Sequence, residues 1–150
     1  MIRLISALET HPLRLPILRA GLPPDSAIFP GDDDPRTAHF GAISGDRIVG
    51  VATLMPAPLP ERPEISAGWQ LRGMATLPEV RGHGHGRELV QACLQHARRE
   101  GGQLLWCNAR SPAVPFYEHH GLATLGPEFE IPTAGPHFRM WISLAPASSR

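Results

Sequence analysis

Residues 71–99, LRGMATLPEVRGHGHGRELVQACLQHARR, decide how the rest of the chain is read. A short apolar strand, a glycine-rich turn and an amphipathic helix follow one another there without a gap. In the turn, Arg81, Gly82, His83, Gly84, His85 and Gly86 alternate glycine with side chains able to carry positive charge, and the spacing predicts a helix from Arg87 onward. Glycine lets the backbone take positive φ and approach a ligand closely, so that successive N–H groups form a nest for an anion. A helix start adds unpaired N–H donors and a partial positive charge. Leu89, Val90, Cys93, Leu94 and Ala97 recur at helical spacing, while Arg87, Glu88, Gln91, Gln95, Arg98 and Glu100 fall mainly on the other side. The pattern buries one face of the helix and aims its N-terminus at a phosphate-bearing ligand. A connector without a ligand is the plain alternative for the turn taken alone. The Walker A spacing is absent, and the turn is one glycine interval short of the dinucleotide fingerprint, which disfavours both usual nucleotide readings.

Working outward, Gly101 and Gly102 supply a C-cap, and 103–108 is again strand-like. A β-α-β unit follows, with strands 69–76 and 103–108 adjacent and parallel. Ligands collect at the carboxyl ends of such strands, where Thr76, the glycine turn and Asn108 would meet. Ser111 and Pro112 open a second short helix over 112–120, closed by Gly121 and carrying Phe116 and Tyr117. Strands are expected at 123–129 and 138–144, joined by a loop at 131–137, with a frayed tail at 145–150.

Upstream, 2–7 reads as a short strand. Thr10 reads as the N-cap of a short helix with Pro12 in its first turn, ending near Gly21; Pro16 weakens it. Residues 21–36, GLPPDSAIFPGDDDPR, read as a loop. Its run Asp32, Asp33, Asp34 is either a solvated turn or an acidic wall that receives a cationic substrate. Strands at 37–43 and 47–55 flank a tight hairpin at Ser44, Gly45 and Asp46. The proline-rich loop 56–63 is a candidate pocket rim.

At 150 residues the expectation is one domain, residues 1–150, able to bury about two-thirds of its unfolded surface. Fourteen Lys plus Arg balance fourteen Asp plus Glu, so no global field draws in nucleic acid or an anionic membrane, and any anion site is local. The apolar runs are too short for a membrane span and the first residues lack a secretory pattern, which makes a cytoplasmic protein the expectation. Cys93 and Cys107 read as small core residues rather than a disulfide. Eight histidines show no ligand spacing, so no metal is expected.

Three stretches resemble the GNAT superfamily of acyl-CoA-dependent N-acetyltransferases, and specifically its small bacterial single-domain members. MATLPEVRGHGHGREL is similar to the family's acetyl-CoA segment, with Arg81, Gly84 and Gly86 at the Arg/Gln-x-x-Gly-x-Gly/Ala positions. NARSPAVPFYEHHGL is similar to its Asn…Ala-x-x-Phe-Tyr-x-x-x-Gly-Phe segment, with Leu122 where Phe is usual and Pro115 inside the first helical turn. GPEFEIPTAGPHFRMWISL resembles its last strands. The resemblance implies an α/β (α+β) fold: a mixed, mostly antiparallel central sheet of about six to seven strands, a β-α-β acetyl-CoA-binding core and helices on both faces. It also implies acetyl-CoA as cosubstrate. Residues implied to bind it are Met74, Ala75 and Thr76 along the pantetheine arm, Arg81, Gly82, His83, Gly84, His85, Gly86 and Arg87 at the phosphates, and Asn108 and Phe116. In the reaction it implies, a primary amine of a small molecule or peptide attacks the thioester, a backbone N–H near Met74 to Thr76 stabilises the oxyanion, and Tyr117 protonates the departing thiolate. Glu128, Glu130, His137 and the aspartates at 32–34 are candidate bases. Members of the family are often homodimers. The alternative function is an acyl-CoA-binding module without turnover.

Overall fold

Backbone hydrogen bonds in the computed structural model, which describes residues 1–144, join eight strands in the order β1-β2-β3-β4-β5-β8-β6, with β7 also on β8. These are β1 (Ile2–Ile5), β2 (Ala38–Ser44), β3 (Arg47–Pro56), β4 (Gly68–Thr76), β5 (Leu104–Arg110), β6 (Ala123–Thr124), β7 (Phe129–Ile131) and β8 (Gly135–Ser143). The helices are α1 (Ala7–Leu18), α2 (His85–Arg99) and α3 (Val114–His119). The sheet is mixed and mostly antiparallel, as expected, with β4 and β5 as its parallel pair and α2 as their crossover. The chain divides into two compact units, Met1–Met55 with Leu71–Cys93, and Pro56–Gln70 with the chain from Leu94 onward.

In the first unit β1 pairs with β2, and β2 turns at Gly45 (φ 65) into β3. The glycine supplies the left-handed conformation that the tight hairpin requires. α1 corrects the expectation at Thr10. Its N-cap is Ser6, whose Oγ accepts the Glu9 N–H at 3.2 Å while Glu9 Oε1 accepts the Ser6 N–H at 2.8 Å. This capping box satisfies two helix-end donors at once. Thr10 lies inside the helix, buried, its hydroxyl donating to the Ala7 carbonyl. Pro12 and Pro16 remain within α1. Both are exposed, and so is Leu8, so the carbonyls of Leu8 and Pro12 that lose ladder bonds lie on exposed residues. Leu13, Val51 and Ala75 form one buried cluster of its core, with Ile5, Ile17, Leu18, Ile48 and Leu77 packed against it.

The second unit is built on β5, fully buried from Leu104 to Cys107. Gly68, Trp69 and Gln70 of β4 pair in parallel with Leu104, Leu105 and Trp106. On its other side β5 pairs antiparallel with β8 from Leu104↔Ser143 to Arg110↔His137. One cluster of its core is Leu59, Leu104 and Trp106, with Ala57, Ile65, Leu125 and Trp141 against it. The proline-rich loop is anchored: Leu59 is fully buried, and Trp106 Nε1–H donates to the Ala57 carbonyl at 2.9 Å. The strand expected at 123–129 is two short ones, because Gly126 takes φ 84 and Pro127 follows. β8 begins at Gly135, which shortens the loop expected at 131–137 to 132–134. The helix expected at 112–120 opens instead with a 3-10 turn, Ser111–Ala113, and becomes α-helical at Val114. Pro115 then falls in the first turn of α3, where an N–H is unpaired anyway. The tail at 145–150 lies outside the described residues.

α2 starts at His85, two residues before the expected position, because its first residues come from the glycine turn itself. Leu89, Val90, Cys93, Leu94 and Ala97 are buried, and Arg87, Glu88, Gln91, Gln95 and Arg98 are exposed, as the periodicity requires. Gly101 (φ 79) ends it, and the Gly102 N–H reaches back to the Ala97 carbonyl at 2.7 Å. Among the described residues no helix is long and apolar enough to cross a membrane.

Candidate functional site

In the first unit, the end of β4 carries Met74, Ala75 and Thr76, with Ala75 buried and its two neighbours half-buried. The Leu77 N–H donates to the Val49 carbonyl at 2.9 Å and fixes where the strand stops. A 3-10 turn, Pro78–Val80, then leads to the glycines. Gly82 and Gly84 both take φ 86, with His83 between them. Nothing lies within 4 Å of the place a Cβ on Gly82 would occupy, and above Gly84 the one neighbour is the Arg87 guanidinium at 3.6 Å. The first ladder bond of α2 runs from the Glu88 N–H to the Gly84 carbonyl at 3.0 Å, so the N–H groups of His85, Gly86 and Arg87 precede it. An open cradle of backbone, a helix N-terminus and an arginine folded over it fit the phosphates of coenzyme A. His85 is half-buried beside them; its Nδ1 is 3.8 Å from Glu88 Oε1 and has no hydrogen-bond partner. Arg81 and His83 are exposed.

Gly73 is a site feature that the reading of the sequence overlooked. It takes φ 64 within β4, directly before Met74, the conformation of a glycine bulge. A Cβ there would stand 3.1 Å from Phe29 Cε2 and 3.4 Å from Arg14 Nε. A glycine inside an apolar strand was the available signal.

In the second unit, Tyr117 is the buried residue of α3 and meets Phe116 edge to face at 5.1 Å. Asn108, half-buried on β5, has its Oδ1 hydrogen-bonded by Arg139 Nη1, and Arg139 Nε pairs with Glu61 at 3.0 Å. The arginine also lies over the Trp106 ring, 4.8 Å from its centroid. This fixes the Asn108 amide with its NH2 as the remaining donor. Arg139 and Glu61 were missed, since their partners lie far away in sequence.

His137 pairs with Arg110 across β5 and β8 and with Phe129 across β7 and β8, and it is buried. Its Nδ1 is 2.8 Å from the Gly135 carbonyl. A carbonyl only accepts, so Nδ1 carries the hydrogen, and in the neutral ring Nε2 is the acceptor atom. Glu128, next to Phe129, is exposed, and its Oε2 accepts the Ser111 hydroxyl at 2.7 Å. Burial pushes the Cys93 thiol far up and the Cys107 thiol up to about 12, so neither is a nucleophile; both are free. Asp32 belongs to neither a solvated turn nor an acidic wall. It is buried against Arg14, while Asp33 and Asp34 are exposed. No group of three His, Cys, Asp or Glu among the described residues is placed to hold a metal.

A glycine-rich turn between a strand and its crossover helix, in a mixed sheet of this order, is the arrangement that the sequence resemblance implies for acyltransferases that draw on a coenzyme A thioester. The model of the Acetyltransferase (GNAT) family matches residues 7–122, and the chain belongs to that family. It is 31% identical over 143 residues to the uncharacterized N-acetyltransferase YitI of Bacillus subtilis (strain 168), covering 95% of each chain. Its fold is similar to that of an aminoglycoside 6′-N-acetyltransferase crystallised with coenzyme A, with a TM-score of 0.78, 15% identity and 99% of each chain covered. Escherichia coli ElaA is similar as well, with a TM-score of 0.77, 14% identity, and 94% and 97% of the two chains covered. The protein is thus an acetyl-CoA-dependent acyltransferase of the N-acetyltransferase class.

Proposed function

We propose that the 150 residues act as one functional domain that transfers an acetyl group from acetyl-CoA to a primary amine of a small molecule or peptide. Acetyl-CoA supplies the activated acetyl thioester. The N–H groups of Gly82, Gly84, His85, Gly86 and Arg87 hold the phosphates, those of Arg81 and His83 being given to the Pro78 and Val80 carbonyls; the Arg81 and Arg87 side chains add charge, with His83 and His85 flanking them. Met74, Ala75 and Thr76 offer strand-like backbone to the amides of the pantetheine arm. Asn108 donates its NH2 to a carbonyl of the same arm, and Phe116 packs beside it.

The amine nitrogen forms the new C–N bond as the C–S bond breaks. A backbone N–H in Met74 to Thr76 stabilises the oxyanion, Tyr117 gives its phenolic proton to the leaving sulfur, and His137 Nε2 takes the proton that the amine loses. Glu128 is the alternative base. The observation that carries this reading is the open, left-handed pair Gly82 and Gly84 ahead of the first turn of α2. The test is the melting temperature with acetyl-CoA at a hundredfold excess over its Kd. Binding of that strength adds about 2.7 kcal/mol, or roughly 5–10 °C for a domain of this size. Acetyl-CoA and CoA should both produce the shift, NAD and ATP should not, and CoA should be released when primary amines are added. Binding without release for any amine would leave an acyl-CoA-binding module.

A further inference from the structure

Among the described residues Arg72 is a cation without a carboxylate. It stands on β4 two residues before Met74 and is half-buried. Its contacts among the described residues are soft ones: Nη1 lies 4.0 Å from Met55 Sδ, and Cζ is 4.7 Å from the centroid of the Phe29 ring. Two more guanidinium groups share that ring, Arg14 at 3.9 Å and Arg19 at 4.7 Å. The nearby acid cannot neutralise Arg72, because Arg14 engages both oxygens of Asp32, at 2.7 and 3.1 Å, and the Phe29 N–H takes Oδ2 as well. Burial first, and then the charge of Arg14, hold the Arg72 pKa below the ordinary arginine value, with Asp32 opposing them. A positive charge kept where positive charge is disfavoured is relieved by an arriving anion. A guanidinium also presents the forked donors that a carboxylate accepts in pairs.

The phosphates of the cosubstrate do not meet this need on the reading above. They are assigned to the turn after β4, whereas Arg72 lies four residues, about 13 Å, before Thr76 along the strand. We infer that Arg72 is a specificity-determining residue whose guanidinium binds a carboxylate carried by the acceptor, so that amines bearing an acid group are acetylated in preference to uncharged ones. This rests on the acetyltransferase reading, with Met74 to Thr76 facing the thioester.

The experiment compares matched acceptors whose amine lies far from the acid: 4-aminobutanoate against 4-aminobutanamide, and 6-aminohexanoate against 6-aminohexanamide. CoA release should favour the carboxylates by about tenfold or more in kcat/KM, mainly through KM. The ratio should fall to about one in Arg72→Gln and be partly kept in Arg72→Lys. Equal rates for the wild type, or a preference that survives in Arg72→Gln, overturn the inference and leave acetyl transfer standing. The melting shift with acetyl-CoA in each variant verifies that the fold and cofactor site persist. A second readout does not depend on turnover: modification of Arg72 by phenylglyoxal, followed by mass spectrometry, in glutarate or in glutaramide. Protection by glutarate alone supports the anion contact even if no amine is acetylated, in which case it is the proposed transfer to primary amines that fails. Equal modification in the two overturns it.

Discussion

Arg14 and Asp32 form a bidentate pair inside the first unit, Nη1 2.7 Å from Oδ2 and Nη2 3.1 Å from Oδ1, with the Arg14 side chain wholly buried. The pair ties α1 to the loop that follows it. Arg14 also donates to the Ala27 carbonyl and to Thr53 Oγ1. His39 Nε2 meets the Asp32 carbonyl at 3.1 Å and therefore bears its hydrogen, which leaves Nδ1 to accept the Thr53 hydroxyl at 2.8 Å. Removing Asp32 alone strands a buried cation. Asp32→Ala is expected to cost about 3–5 kcal/mol and to lower the melting temperature by roughly 6–20 °C. The double variant Arg14→Met, Asp32→Leu should recover much of that loss; a double variant no better than Asp32→Ala would show that the pair does more than neutralise its own charges.

Asp32 also makes stability depend on pH. Burial by itself would raise its pKa, but the hydrogen bonds from Arg14 and the Phe29 N–H and the Arg14 charge outweigh it, leaving the carboxyl below its ordinary 3.8. A folded-state pKa beneath the unfolded value contributes stability that is complete above the unfolded pKa and is lost as pH falls through the folded one. The urea midpoint of the wild type should therefore drop on acidification below about pH 5. Asp32→Asn should start lower and show a shallower acid limb; parallel limbs in the two proteins would remove Asp32 as the cause.

At Gly84, φ 86 and the Arg87 guanidinium 3.6 Å from the position of a Cβ act together. Gly84→Val would strain the turn and fill the face on which the phosphates are proposed to sit. The expected result is loss of the acetyl-CoA melting shift with the far-ultraviolet spectrum unchanged. A wild-type shift in this variant would mean that the phosphates bind elsewhere.

The β4-turn-α2 segment was legible because its signals are local: alternating glycines, then Leu89, Val90, Cys93, Leu94 and Ala97 at helical spacing. The Ser6 capping box was equally local, as Ser-x-x-Glu, yet Pro12 drew attention to Thr10 instead. Nothing local tells Asp32 from Asp33 and Asp34; what turns it inward is Arg14, eighteen residues away. Asn108 likewise reads as a free amide until Arg139, thirty-one residues on, is seen to hold its oxygen. Partners chosen across the sheet leave no period in the chain, so the glycine turn was readable and the two polar networks were not.

Tyr117 is buried on α3 and packs its ring edge against Phe116. Tyr117→Phe keeps that ring and removes the phenolic proton, so packing is not confounded with chemistry. The expected outcome is a fall in kcat of about tenfold or more, with the CoA melting shift nearly unchanged. Unaltered turnover would take Tyr117 out of the mechanism and leave it as a core residue.

His137 and Glu128 are distinguished by what already occupies them. The Nδ1–H of His137 is committed to the Gly135 carbonyl, leaving Nε2 as the acceptor, whereas Glu128 is exposed and one of its oxygens is held by Ser111. A base must have a free lone pair, and solvent must not compete strongly for the proton it takes. His137→Asn preserves an N–H for Gly135 and deletes the Nε2 base. It should lower kcat/KM by about tenfold or more, while Glu128→Gln leaves it nearly unchanged. If His137→Asn keeps the wild-type rate and Glu128→Gln loses it, the carboxylate is the base, and the histidine is a pairing residue of β8 against β5 and β7.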